Sequence, residues 1–142
     1  MPSPLYVLDT DHLSLLQRAQ VQVVARLRQA PLRQRASTIV NAEEQLRGRF
    51  AEIARAKKVG EWVIAYRQFQ QTLRELLPLR LLPFDDAAAA TFLRLKAAVK
   101  QIGTQGLKIA AIVLTAGGVL ATRNQKDFAR IPGLVIEDWT QP

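Results

Sequence analysis

The chain has no cysteine, one histidine and no apolar run that approaches membrane-spanning length. Without cysteine there is neither a disulfide framework nor a thiolate metal site. His12, alone at a helix start, reads as a core or surface residue rather than as a catalytic group. The opening stretch MPSPLYVLDT has neither the basic start nor the apolar core of a secretion signal, so a cytoplasmic location and no membrane partner are expected. Repeats and low-complexity segments are also missing. Acidic residues are scarce beside basic ones, 12 against 20, for a formal net charge of +8. Such a field attracts polyanions, and most of the basic residues are arginines, whose planar fork donates to phosphate in pairs. An anionic membrane surface or an acidic protein is the alternative partner, and many of the arginines are simply solvated helix faces.

What the chain does have is enough apolar material to fold. Its 142 residues suffice for one domain, 49% are hydrophobic and 23% are charged. The few acids fall in telling places. Leu5-Tyr6-Val7-Leu8 is a strand-like run that stops abruptly at Asp9-Thr10-Asp11. Acids at the end of such a strand stand at the carboxyl edge of a sheet, where open α/β proteins place their ligands. Oxygen donors converging there make a pocket for a hard divalent cation.

Periodicity supplies the remaining elements. A helical pattern runs from Leu13 to Arg28 with a break near Gln20, and Pro31 ends it. Ala36 to Val40 reads as a second strand, followed by a helix start at Asn41-Ala42-Glu43-Glu44. Apolar residues then recur at helical spacing through Leu46, Phe50 and Ile53. After Gly60 they recur again through Trp62, Tyr66, Phe69, Leu73 and Leu76, and the two stripes predict a helical hairpin. Leu79 to Phe84 is a third strand, and Asp85 caps an alanine-rich helix through Phe92, Leu95 and Val99. Gly103 to Gly106 reads as a turn, Leu107 to Thr115 as a short apolar helix closed by Gly117-Gly118. Val119 to Thr122 is a fourth strand, Asn124 to Phe128 a helical turn, and Leu134 to Ile136 a last strand after the Pro132-Gly133 loop. The alternation predicts an α/β fold: a parallel sheet of four to five strands with helices on both faces.

Each acid has two readings. Asp9 is a turn or helix-capping residue, or a ligand; the second is preferred because Asp11 is available to cap the next helix. Glu44, three residues after Asn41, closes a capping box or projects from the first turn of its helix towards the edge that holds Asp9. Glu43 lies on another helical face and is the weaker candidate. Asn124 and Asp127 follow the fourth strand, as turn residues or as members of the same cluster.

Taken together the chain resembles the PIN-domain ribonucleases, specifically the VapC-type toxins of bacterial toxin–antitoxin pairs. The resemblance rests on Leu8-Asp9-Thr10-Asp11-His12-Leu13-Ser14, Glu43-Glu44-Gln45-Leu46-Arg47-Gly48, Leu82-Pro83-Phe84-Asp85 and Ile102-Gly103-Thr104-Gln105. Leu120 to Phe128 and Ile131-Pro132-Gly133-Leu134 complete it, in an order that covers residues 1–142 as a single PIN-like domain. It implies an acidic cluster that holds Mg²⁺ or Mn²⁺, with Asp9, Glu44 and Asn124 as catalytic and metal-holding residues and Asp11, Thr122 and Asp127 in support. It further implies hydrolysis of RNA phosphodiesters, with the arginines as a phosphate track, a VapB-like antitoxin partner and a homodimer. The hairpin around Phe50 and Trp62 is the expected docking surface, while Phe69 and Leu73 suit the domain's own core.

One position departs from the pattern. The family has an aspartate where this chain has Gly106, so one expected metal ligand is missing and cleavage is expected to be impaired. Asp127 is a candidate substitute. Gly106 is either an introduced inactivating change or natural degeneracy. The alternative function is a catalytically inactive member of the fold that binds RNA or antitoxin. A purely structural protein is the least favoured reading, since it needs no acids at strand ends.

Overall fold

The computed structural model describes residues 4–142. Met1 to Ser3, the start of the stretch read above for a secretion signal, lie outside the described residues. Five strands form one sheet: β1 (Tyr6–Leu8), β2 (Arg35–Thr38), β3 (Arg80–Leu82), β4 (Val119–Ala121) and β5 (Val135–Glu137). Their order is β3-β2-β1-β4-β5 and every neighbouring pair is parallel. Parallel strands need crossovers, and helices supply them. These are α1 (Thr10–Gln17), α2 (Val21–Gln29), α3 (Ile39–Arg55), α4 (Val59–Leu76), α5 (Asp86–Ala98), α6 (Thr104–Ala116) and α7 (Gln125–Phe128).

Alternation along β1 sends neighbouring side chains into different cores. Val7 joins one apolar cluster with Leu95, Ile112 and Phe128, under α5, α6 and α7. Leu8 joins another with Leu13, Val23, Leu76 and Trp139, under α1, α2 and the end of α4. Both faces of the sheet are therefore covered, as expected. Because β1 is central, the chain builds outwards to β2 and β3 and then returns to add β4 and β5 on the other side. The carboxyl ends of β1 and β4 thus meet at the point where strand order reverses, the place such sheets leave open for ligands.

Several boundaries differ from expectation, and two of them matter for the acids. Helix α1 begins at Thr10, so its N-cap is Asp9, whose side chain makes no capping bond, and Asp11 sits inside the first turn. Asp11 is not the cap. Strand β2 stops at Thr38, whose hydroxyl accepts from the Asn41 backbone N–H and starts α3 at Ile39. The β-branched pair Ile39-Val40 reads as strand by propensity, but a threonine cap immediately before it wins. Asn41 and Glu44 therefore form no capping box.

Other differences are smaller. The break between α1 and α2 is made by Ala19 in the left-handed region, φ 55°, with the Gln20 side chain capping Val23 N–H at 2.8 Å. The hairpin turns at Ala56 to Lys58 rather than at Gly60, because Glu61 accepts from the Lys57 and Lys58 backbone N–H groups at 3.2 and 3.0 Å. Gly103 is the N-cap of α6, so Gly106 lies in a helical first turn rather than in a loop. Asp85 caps α5 through Ala88 N–H at 3.0 Å, as expected. Gly117, at φ 68°, ends α6 in the conformation that favours glycine.

Candidate metal centre

The topology brings Asp9, Asp11, Glu44, Asn124 and Asp127 into one cleft of about 650 Å³ at the carboxyl edge of the sheet. Gly106, Ile102 and Phe128 line its other side. Asp9 hangs from the end of β1, held in register by its own N–H donating to Ala121 O on β4 at 3.0 Å. Its carboxylate is buried and hydrogen-bonded on both oxygens. Asn41 Nδ2 donates to Oδ1 at 2.9 Å, and the Thr122 hydroxyl donates to Oδ2 at 2.7 Å. Burial pushes the Asp9 carboxyl above its ordinary pKa, and the negative charge of Asp11 adds to this against the two donors.

Glu44, on the second turn of α3, reaches the same cleft. The Thr10 hydroxyl donates to its Oε1 at 2.6 Å, and Asn41 Nδ2 donates in turn to Thr10 Oγ1 at 3.0 Å. Two carboxylates that stand 35 positions apart are thereby linked through one amide and one hydroxyl. Glu43 points elsewhere: it pairs with Arg47 and accepts from Gln105 Nε2 at 3.3 Å, on the exposed surface.

Asp11 turns towards β4 and the chain's C-terminal segment. Its Oδ2 accepts from the Arg123 backbone N–H at 3.0 Å, and its Oδ1 lies 2.6 Å from His12 Nδ1. Burial raises its carboxyl, but the His12 bond, the Arg123 N–H and the positive charge of Arg123 outweigh that and leave it below its ordinary pKa. His12 is fully buried, and its Nε2 accepts from the Trp139 backbone N–H at 3.0 Å. The lone histidine is therefore a satisfied core residue that supports Asp11. Because Nε2 accepts, Nδ1 carries the proton and donates.

Thr122, at the end of β4, is fully buried. Its hydroxyl also accepts from the Asn124 backbone N–H at 3.0 Å. Asn124 caps α7: its Oδ1 accepts from Asp127 N–H at 3.4 Å, and its Nδ2 donates to Asp127 Oδ2 at 3.2 Å. Asn124 and Asp127 thus line the cleft as a mutually bonded pair.

The α6 side of the cleft, with Thr104, Gln105, Gly106 and Ile109, carries no carboxylate. Gly106 stands in the first turn of α6, where a side chain would enter the cleft. A Cβ placed on it would meet Ile102 Cγ2 at 3.0 Å and Phe128 Cζ at 4.0 Å. The missing side chain's space is thus crowded by a β-branched methyl. Among the described residues, no group of three or more His, Cys, Asp or Glu side chains is placed to hold a metal ion. The donor chemistry fits a hard cation held by two carboxylates and a carboxamide. Among the described residues, only one oxygen of Glu44 is engaged by a protein donor.

No protein-family model matches the chain, and no curated protein matches it. Solved structures do. DNA-bound VapBC from Salmonella typhimurium superposes with a TM-score of 0.81 at 21% identity, over 96% of this chain and 99% of that one. The fold is PIN-like. FitAcB from Neisseria gonorrhoeae gives 0.75 at 23% identity, over 97% and 100%. A toxin–antitoxin complex from Klebsiella pneumoniae gives 0.70 at 25% identity, over 92% and 95%. These neighbours bear out the resemblance to VapC-type toxins at the level of the fold, at low sequence identity.

Sequence reasoning passed over four groups that hold the centre together. In the sequence Thr10 is only the residue between two acids at a strand end, Asn41 a helix-start residue and Gln45 an anonymous helical position. Gln45 is buried, and its Nε2 donates to Ser14 Oγ at 3.1 Å while its Oε1 accepts from Gln17 at 2.6 Å, locking α3 to α1. Trp139, the anchor for His12, carried no signal at all. The available signal was spacing: Asn41 and Gln45 are one helical turn apart and flank Glu44, on the face that must meet the sheet edge.

Proposed function

We propose that residues 1–142 form a single PIN-like domain of the VapC toxin type, an RNA phosphodiester hydrolase whose cleavage is impaired by Gly106. The observation that carries this reading is the convergence of Asp9 and Glu44 on one cleft through Asn41 and Thr10, opposite a glycine. Asp9 and Glu44 would hold Mg²⁺ or Mn²⁺, with Asn124 as ligand or water-positioner and Asp11, Thr122 and Asp127 in support. When bound, such a cation supplies Lewis-acid activation of a water and neutralises charge on the phosphate. Mg²⁺ is commonly held by only one or two carboxylates when substrate phosphate completes its shell. Two carboxylates therefore retain a weak site, and the lost anion leaves it loose and the attacking water poorly oriented.

The chain's own residues do the rest. Asp9 and Glu44 line one cleft, and the Asn41 and Thr10 donors behind them engage one oxygen of each. Exposed Arg123, Lys126 and Arg130 follow β4 beside the cleft and suit the RNA backbone. Cleavage of RNA in the presence of Mn²⁺, measured on this chain and on Gly106→Asp, tests the reading. A gain in the variant and loss with Asp9→Asn supports it; no cleavage by any form counts against it.

A second reading, an inactive RNA- or antitoxin-binding member of the fold, is favoured because, among the described residues, no group of three or more His, Cys, Asp or Glu side chains is placed to hold a metal ion. It predicts RNA binding that weakens with salt and no cleavage after Gly106→Asp. For the partner, the neighbours solved as VapBC complexes support a VapB-like antitoxin. Its docking surface is the α3–α4 hairpin. Phe50, Trp62, Val63, Ile64 and Tyr66 are exposed there, while Phe69 is half-buried with its ring 5.3 Å from that of Phe50. The homodimer belongs to the same proposal. So does the cytoplasmic location; among the described residues, no helix is long and apolar enough to cross a membrane.

A further inference from the structure

We propose that Asn41 is the positioning residue of the centre, setting both the Asp9 and Glu44 carboxylates in the cleft, with Thr10 as its arm to Glu44. The inference deepens the proposed function and rests on it for its purpose, but the geometry stands independently. Asn41 is fully buried on the first turn of α3. Its own orientation is determined by Thr38, whose hydroxyl donates to Asn41 Oδ1 at 2.7 Å. With the carbonyl end engaged there, both Nδ2 hydrogens face the cleft. One goes to Asp9 Oδ1 at 2.9 Å and one to Thr10 Oγ1 at 3.0 Å.

The direction of every bond in this chain is determined. A carboxylate can only accept, so Nδ2 must be the atom facing Asp9. Thr10 spends its lone pair on Asn41 and therefore has its single proton free for Glu44 Oε1, at 2.6 Å. Thr38, Asn41, Thr10 and Glu44 form a one-way relay of donors with a branch to Asp9. The amide is also neutral. A lysine or arginine at this place would hold the carboxylates equally well but would repel a cation, whereas an amide offsets their desolvation and leaves their charge available. Four residues from three elements are committed to an arrangement that folding alone does not need, since apolar side chains of similar shape would fill the same space.

The test uses the full chain, Mn²⁺ alone as probe, and crystals grown without metal. Thr10→Val removes one hydroxyl at nearly constant shape and leaves the Asn41–Asp9 bond intact; Thr10→Ser retains the hydroxyl. Asn41→Leu removes both branches. Mn²⁺ affinity should fall about 10–100-fold in Thr10→Val and in Asn41→Leu, and Thr10→Ser should bind as the parent does. In the metal-free crystals, Glu44 should leave its position in Thr10→Val while Asp9 stays, and both should move in Asn41→Leu. Should Asn41→Leu fail to fold, Thr10→Val and Thr10→Ser carry the test alone. Carboxylates that superpose on their parent positions in the crystals overturn the proposal. Absence of Mn²⁺ binding by both the parent and Gly106→Asp would instead defeat the metal-centre reading, and the crystals would still decide the positioning.

Discussion

The two walls of the cleft are built from opposite materials. The wall formed by β1, α1 and α3 is polar throughout: Asp9, Thr10, Asn41 and Glu44 are joined by bonds of 2.6 to 3.0 Å. The wall formed by α6 and α7 presents Gly106, Ile102, Ile109 and Phe128 beside Thr104 and Gln105, and its acid, Asp127, is bonded to Asn124. The first wall keeps the scaffolding of a charged centre; the second packs like core. A buried carboxylate without a cation is costly, and a donor network limits that cost only where the network exists. The glycine at position 106 leaves no polar partner there in need of an anion, whereas removal of the Asp9 side chain would strand Asn41 and Thr122.

The largest expected effect comes from restoring the bare wall. Gly106→Asp combined with Ile102→Leu, which removes the crowding Cγ2, should tighten Mn²⁺ binding about 10–100-fold and make the chain inhibit growth of its host. Gly106→Asp alone should gain less, because its Cβ meets Ile102 at 3.0 Å. Equal gains with and without the Ile102 change, read by calorimetric titration, would break the contrast between the walls. The same pair of variants bears on the origin of the glycine. Full recovery from the single change points to an introduced substitution, and recovery only with the second points to a chain repacked around glycine.

Next in size is the docking surface remote from the cleft. Trp62→Ala and Tyr66→Ala on the exposed side of α4 should each weaken a VapB-like partner by about 2 kcal/mol, measured by binding titration. Mn²⁺ affinity should not change. A shift in metal affinity instead would show that these aromatic residues belong to the cleft's support.

The polar wall can be probed through stability. The folded Asp9 carboxyl titrates above its ordinary value near 3.8. Between those two values the native state binds more protons than the unfolded chain, so stability falls as pH rises through that window. Asp9→Asn should therefore melt higher than the parent at neutral pH without metal, and the advantage should vanish as pH falls towards 3.8. Asp11 has the opposite sign. Its folded carboxyl titrates below 3.8, so its contribution is present above that value and is lost as pH falls through the lowered one. Asp11→Asn should melt lower than the parent at neutral pH. Melting curves from pH 3 to 8, roughly spanning both windows, check the pair, and identical behaviour of the two variants would contradict it.

The smallest effect belongs to the acid that the fold sets aside. Glu43→Gln breaks only an exposed pair with Arg47 and a contact to Gln105, and should change stability by less than about 1 kcal/mol. Mn²⁺ affinity should be that of the parent. A marked loss would move Glu43 into the centre.

The sequence by itself determined the alternation of strands and helices, because apolar period and capping chemistry are local. It marked the ends of β1 and β4 as the places where polar side chains accumulate, while the significance of Gly106 came only from the resemblance to the PIN-domain ribonucleases. It misplaced the starts of α1, α3 and α6, since a cap is decided by competition among neighbours: Thr38 outbid the strand propensity of Ile39 and Val40. Only tertiary structure decided which acids share a cleft. Strand order put β1 beside β4, and the pitch of α3 turned Glu44 inwards and Glu43 outwards. Tertiary structure also gave Asn41 and His12 their roles, because a buried polar side chain takes its function from partners that stand 31 to 127 positions away in the chain. Local pattern carries no record of such distances; they are set by which surfaces the folded core brings together.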